Sequence, residues 1–170
     1  MDRTATPKPA NPAPVADRAE PTPTTGPVER PQPPRNLDSR LGALNVSVQP
    51  VGVKPGQSYW RLVDARWEDE GQAGGRHSIF VDVRDENGNR LVGQPVEIHW
   101  SSGSVTLMTE DKPLPEYGTN FPMYNTLGSY EVSVAGLPSD IIVGMGLGSI
   151  QQPKFTVHTC FFLVFQRTMR

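Results

Sequence analysis

After residue 36 apolar side chains alternate with polar ones along most of the chain, the two-residue period of strands that bury one face. Leu44, Val46 and Val48 predict a strand that stops at Pro50 and the Lys54-Pro55-Gly56 turn. Ser58–Glu68 places Tyr59, Arg61, Val63, Ala65 and Trp67 on one side, and Trp60, Leu62, Asp64 and Arg66 on the other. A regular strand there sends the two tryptophans to opposite faces, one into the core and one onto other cover. Beyond the Gly71–Gly75 interruption, His77–Asp85 aligns Ile79, Val81 and Val83. Asn87-Gly88 then gives a hairpin or turn signal, because both residue types tolerate positive φ.

Gln94–Ser101 directs Val96, Ile98 and Trp100 inward with Glu97 and His99 outward, and Val105–Met108 is a further short strand. Ser129–Ala135 sets Tyr130, Val132 and Val134 against Glu131 and Ser133. The last run, Phe155–Gln166, holds Phe161 to Phe165 without a polar break, as in a central strand covered on both faces. No segment combines a helical period with caps, and prolines from Pro50 to Pro153 punctuate the chain. Seven or eight short strands between turns predict an all-β, antiparallel, immunoglobulin-like β-sandwich over residues 37–170.

Composition divides the chain at the same place. Residues 1–36 hold ten of the eighteen prolines and none of the thirteen aromatics. They are expected to form a disordered, extended tether with polyproline-II character, since proline fixes φ and little apolar surface is available to offset ordering. Pro9–Pro12 and Pro31–Pro34 fit P-x-x-P, a match that proline content alone makes common. The tail shows no apolar signal-peptide core after Met1. The remaining residues carry eleven basic and fourteen acidic side chains and no basic stripe, which argues against a nucleic-acid partner. Apolar runs fall far short of the ~20 residues that cross a bilayer, so membrane insertion is not expected. The single cysteine, Cys160, excludes an intrachain disulfide framework.

Val81-Asp82-Val83-Arg84-Asp85-Glu86-Asn87-Gly88, followed by Gly93-Gln94-Pro95-Val96, resembles the strand-turn-strand signature of bacterial immunoglobulin-like modules of the invasin/intimin kind. Gly128-Ser129-Tyr130-Glu131-Val132 is similar to a later strand of such modules. The strand bearing Trp60 and Trp67, the glycines at 144–148 and the insert between Thr109 and Tyr124 depart from that pattern. The string from Pro34-Arg35-Asn36-Leu37 through Tyr59-Trp60-Arg61 to His158-Thr159-Cys160-Phe161 also resembles non-catalytic domains joined by Pro-rich linkers to exported bacterial cell-wall or glycan hydrolases. These resemblances imply an accessory or adhesion module at the cell surface or outside the cell, beside other domains of a larger exported protein. They bring no catalytic residues.

Candidate chemistry is thin. Gly144, Gly146 and Gly148 lack the dinucleotide spacing and lead into Gln151-Gln152-Pro153 rather than a helix, so a flexible loop is expected. Asp85-Glu86-Asn87-Gly88-Asn89 spaces oxygens as a calcium loop does, but Arg90 and Val96 stand where an EF-hand needs Gly and Glu. A β-turn explains the same residues. His77, His99 and His158 show no metal-ligand spacing, and neither metal nor cofactor is expected. Cys160 lies among apolar neighbours, where a thiol is usually inert packing, and no serine sits in a G-x-S-x-G elbow. Glu68-Asp69-Glu70 and Glu110-Asp111 supply carboxylates without a defined separation, and no enzyme motif survives.

Aromatic rings beside polar loops are the remaining feature. Trp67, Tyr117, Phe121 and Tyr124, with Asn120, are the candidate ligand-binding residues. Ring faces stack on the C–H faces of sugars while amides and carboxylates meet the hydroxyls, so the candidate partner is a glycan or cell-wall polymer. The competing use is packing of a long loop onto the sandwich edge, as in a spacer or protein-interaction domain. Asn45-Val46-Ser47 is a glycosylation-acceptor match inside the first predicted strand.

Overall fold

The computed structural model describes residues 31–170. Ten strands form in chain order: β1 (Asn36–Leu37), β2 (Ser47–Gln49), β3 (Ser58–Glu68), β4 (Ser78–Arg84), β5 (Pro95–Trp100), β6 (Gly103–Met108), β7 (Thr119–Pro122), β8 (Tyr130–Val134), β9 (Ile141–Met145) and β10 (Cys160–Met169). A single-turn helix, α1 (Glu70–Ala73), links β3 to β4. Two five-stranded sheets result, ordered β1-β3-β10-β4-β7 and β2-β9-β8-β5-β6. Their inner faces share one core that includes Trp60, Leu62, Trp67, Ile79, Val96, Ile98, Val132, Ile142, Phe161 and Phe165. The second sheet is antiparallel throughout, whereas β1–β3 and β10–β4 pair in parallel, so the first is mixed rather than purely antiparallel.

The expectation that Trp60 and Trp67 diverge is corrected by one residue. In the β3–β10 ladder Val164 faces Asp64 and Phe165 faces Leu62, leaving Val63 unpaired as a bulge. An extra residue shifts the pleat by one, so side chains beyond it exchange faces. Trp60 and Leu62 before the bulge and Ala65 and Trp67 after it therefore all enter the core, with the tryptophans 2% and 3% exposed.

Other local expectations change for similar reasons. Gly42–Leu44 forms a 3-10 turn and Asn45 takes φ 58, so regular strand structure begins only at Ser47 and the acceptor Asn45 of the glycosylation match lies before it. Asn87-Gly88 makes a turn closed by an antiparallel bridge between Arg84 and Arg90, but the pairing goes no further, because β4 and β5 belong to different sheets. Asp85 holds that turn by accepting from the Asn87 and Asn89 backbone N–H groups and from Asn89 Nδ2. Those oxygens serve the turn itself, with Gly88 at φ 85.

The glycines at 144–148 are close-packed rather than a flexible loop. A Cβ on Gly144 would lie 2.4 Å from the Asn45 carbonyl oxygen, and one on Gly146 would lie 2.0 Å from that of Thr126. Gly144 belongs to β9, a strand missing from the sequence expectation, as was β7.

Ordered contacts begin before residue 37. Arg61 Nε donates to the Pro33 carbonyl at 2.9 Å, and Arg35 Nη2 donates to Asp140 at 2.5 Å. The last residues of the expected 1–36 tail thus lie along β3. Residues 1–30, including the first P-x-x-P match, lie outside the described residues.

Candidate functional site

Strand β10 is covered on both faces, as its unbroken apolar run predicts. Phe161, Leu163 and Phe165 point into the sandwich, while Cys160 and Phe162 point outward beneath a second, smaller cluster with Ala73, Phe80 and Tyr117. Register builds this cluster. Arg66 on β3 lies opposite Phe162 on β10, Phe162 opposite Phe80 on β4, and Phe80 opposite Asn120 on β7. One row of four side chains therefore crosses the outer face from strand to strand.

Within the row the rings of Phe162 and Phe80 stack, with centroids 4.8 Å apart and planes 8° from parallel. The Arg66 guanidinium carbon sits 4.1 Å from the Phe162 centroid, a cation–π contact on its other face. Glu68 accepts from Arg66 at 2.6 Å and from Arg76 at 2.8 Å, holding both guanidinium groups beside the rings. Tyr117 meets Phe162 edge-on at 5.3 Å.

Tyr117 reaches the row on the loop between β6 and β7. Buried Asp82 accepts from Gly118 N at 2.7 Å and from Arg90 Nη2 at 2.8 Å. Arg90 in turn donates to the Lys112 and Glu116 carbonyls, both at 2.8 Å. Asp82 and Arg90 thus pin the loop that carries Tyr117. Burial raises the Tyr117 phenol above its ordinary range, outweighing the opposing attraction of Arg66.

A groove of about 210 Å3 runs beside the row, lined by Arg76, Phe80, Lys112, Glu116, Tyr117, Asn120 and Phe162 among others. Its chemistry is a half-buried aromatic floor with one amide, one carboxylate and two cations at the rim, a set that stacks and hydrogen-bonds. Cys160 lies beneath, 0% exposed, and burial pushes its thiol upward, away from the thiolate a nucleophile needs. The acidic run is structural: Glu68 joins the two arginines, and Asp69 caps α1 through a reciprocal pair of hydrogen bonds with Gln72.

The five candidate residues do not form one cluster. Tyr117 and Asn120 share the groove. Phe121 follows Asn120 on β7, and strand alternation turns it inward to stack on Trp100 at 5.5 Å. Trp67 is in the core, so its place in a surface platform is corrected. Tyr124 is 69% exposed at the end of the sandwich, edge-on to His77 and away from the groove residues.

Phe80, Phe162, Arg66 and Arg76 were missed. Phe80 carried a local signal, since it is a large apolar residue on the polar side of β4 between Ser78 and Asp82. The other three become neighbours only through the β3–β10–β4 register. Among the described residues no group of three or more His, Cys, Asp or Glu converges as a metal site, and no helix is long and apolar enough to cross a membrane.

No protein-family model and no curated protein matches the chain. Among solved structures it is similar to the C-terminal fragment of the pilus adhesin SpaC from Lactobacillus rhamnosus GG, at 12% identity and a TM-score of 0.34. That match covers 55% of this chain and 46% of the adhesin fragment, so the chain spans less than half of its length. So slight a likeness leaves the function to be argued from this chain's own geometry.

Proposed function

We propose that this chain is a non-catalytic accessory or adhesion module of an exported or surface-exposed bacterial protein, and that it binds a glycan or cell-wall polymer in the groove over the first sheet. The observation that carries this is the registered row Arg66–Phe162–Phe80–Asn120 with Tyr117 beside it, on the face that strand alternation otherwise leaves polar. Asn120 supplies an exposed amide, and Tyr117 and Phe80 supply half-buried ring surface, which together suit a sugar's hydroxyls and its C–H face. The resemblance to invasin-type modules and hydrolase-linked accessory domains agrees with this use.

The test is retention on insoluble polysaccharides and peptidoglycan, beside a glycan array. Saturable retention competed by free sugar, and weakened at least tenfold by Asn120→Ala or Tyr117→Ala but not by Tyr124→Ala, is expected. No retention on any of them overturns the proposal. A spacer or protein-interaction module is the second reading, favoured by β6. It is an edge strand of six residues without charge or proline, whose outer side pairs with no strand among the described residues.

A further inference from the structure

His77 and His158 are 81 residues apart in sequence, yet their ring centroids lie 4.8 Å apart. The parallel β4–β10 ladder causes this. Ile79 pairs with Phe161, so the segments that lead into the two strands arrive at the same end of the sandwich, where His158, one residue before the register partner of His77, meets its ring. Each ring is also oriented. His77 Nδ1 lies 2.8 Å from the Met123 carbonyl oxygen, and His158 Nδ1 lies 3.1 Å from that of Gly75. A carbonyl only accepts, so both Nδ1 atoms carry the hydrogen, and in neutral rings both Nε2 atoms present lone pairs.

We propose that His77 and His158 form a two-histidine site for a divalent transition-metal ion of the zinc class, bound through the two Nε2 atoms. An Nδ1–H anchored on a backbone carbonyl is the outer-shell arrangement that fixes tautomer and ring direction in imidazole metal sites. Zinc–nitrogen bonds of about 2.0–2.1 Å place two ligand nitrogens a little over 3 Å apart. Two imidazoles on one such ion have centroids on the order of 5 Å apart, and the His77 and His158 centroids lie at 4.8 Å. His158 is exposed and His77 half-buried, so an ion enters from solvent, and water fills the positions that no third protein ligand occupies. The neighbouring cation, Arg76, is held toward the outer face by Glu68 at 2.8 Å and by the Ala73 carbonyl at 2.9 Å. The bound ion would tie the segment before β10 to the start of β4, next to exposed Tyr124. This site is separate from the glycan groove and does not depend on it.

The chain has three histidines, so His99, on the second sheet, is an internal control. Titrating the full chain with Zn2+ by calorimetry should show one site per chain. His77→Ala and His158→Ala should each weaken it at least tenfold, and His99→Ala should leave it unchanged. Nitrogen-15 NMR of the unmutated chain reads the ligands without reliance on folding of the variants. The Nε2 resonances of His77 and His158 should move on adding Zn2+ while both Nδ1 atoms stay protonated. Zinc binding that survives both substitutions, unmoved Nε2 resonances, or no binding at millimolar Zn2+ would each overturn the proposal.

Discussion

Phe162 and Phe80 lie directly opposite one another across the parallel β10–β4 ladder, with ring centroids 4.8 Å apart and planes 8° from parallel. Both project from the face that looks away from the sandwich core. Their stack gives the outer face of the first sheet an apolar centre, on which Arg66, Tyr117 and α1 settle.

Packing and recognition in this row separate by depth. Phe162 is 5% exposed, and Phe162→Ala should cost about 3–5 kcal/mol, the usual range for a buried phenylalanine. Asn120 is exposed, so Asn120→Ala should change stability by less than about 0.5 kcal/mol while removing a polar contact to sugar. Urea denaturation of the two variants measures the difference. Equal losses would mean that Asn120 is as structural as the ring.

Deleting Val63 joins Leu62 to Asp64, whose partners Phe165 and Val164 are already consecutive, so the ladder can close without a bulge. Trp60 and Trp67 then stand six residues apart and share the inner face without a bulge, so the fold should be kept with a loss of no more than about 2 kcal/mol. Val63→Ala keeps the residue count and should cost no more than about 1–1.5 kcal/mol. Near-ultraviolet circular dichroism and Trp fluorescence check this: both variants should keep the native spectrum, and its loss in the deletion alone would show that the bulge itself is required.

Gly144 and Gly146 are required by backbone contact. Gly144 has φ 92, and its added Cβ would meet Asn45 O at 2.4 Å, while on Gly146 it would meet Thr126 O at 2.0 Å. Either alanine substitution should cost more than about 2 kcal/mol, because main chain must move. Gly56, at φ 80 with nothing within 4 Å, faces only the conformational penalty, and Gly56→Ala should cost about 1 kcal/mol. Thermal melts of the three variants should rank them in that order.

Asp140 is fully buried and accepts from Arg35 Nη2 at 2.5 Å and from Val51 N and Leu62 N at 3.0 Å. Arg35→Ala leaves that carboxylate without its cation, and a loss of about 3 kcal/mol is expected. A chain beginning at residue 37 should be destabilised as much or more, whereas one beginning at residue 31 keeps the pair. Urea midpoints of the three proteins test this.

Arg40 holds the Asp38 carboxyl down to about 2 from 3.8, chiefly by a side-chain hydrogen bond at 2.8 Å. A carboxyl depressed in the folded state stabilises it fully above the unfolded value and stops doing so once protonated. This contribution should therefore be present at neutral pH and fade as pH falls from about 4 to 2. Asp38→Asn should lower the melting temperature at pH 7 and flatten the acid limb over that window. An unchanged acid limb would show that Asp38 does not carry it.

Alternation and turn chemistry are local, and so they were readable from residues alone. The full extent of β3, the inward sets Ile79-Val81-Val83 and Tyr130-Val132-Val134, and the double coverage of β10 all follow from which side chains recur at spacing two. The division into two sheets does not. Nothing between Asp85 and Asn89 tells a hairpin from a turn that sends the chain across the sandwich, because the same positive-φ residues serve both. The Val63 bulge is likewise invisible locally, since it is defined by the partner strand.

The candidate site shows the same boundary. The sequence by itself determined that aromatic rings stand beside polar residues in the turn-rich stretch 116–124, Tyr117 and Asn120 among them. Only the tertiary structure decided that Trp67 and Phe121 are internal, that Phe162, Phe80 and Arg66 complete the row, and that two of three histidines meet. The physical reason is that strand period fixes the face a residue takes within its own strand. Which residues become neighbours is fixed by the register between strands far apart in the chain, and that register is set only when both sheets close on one core.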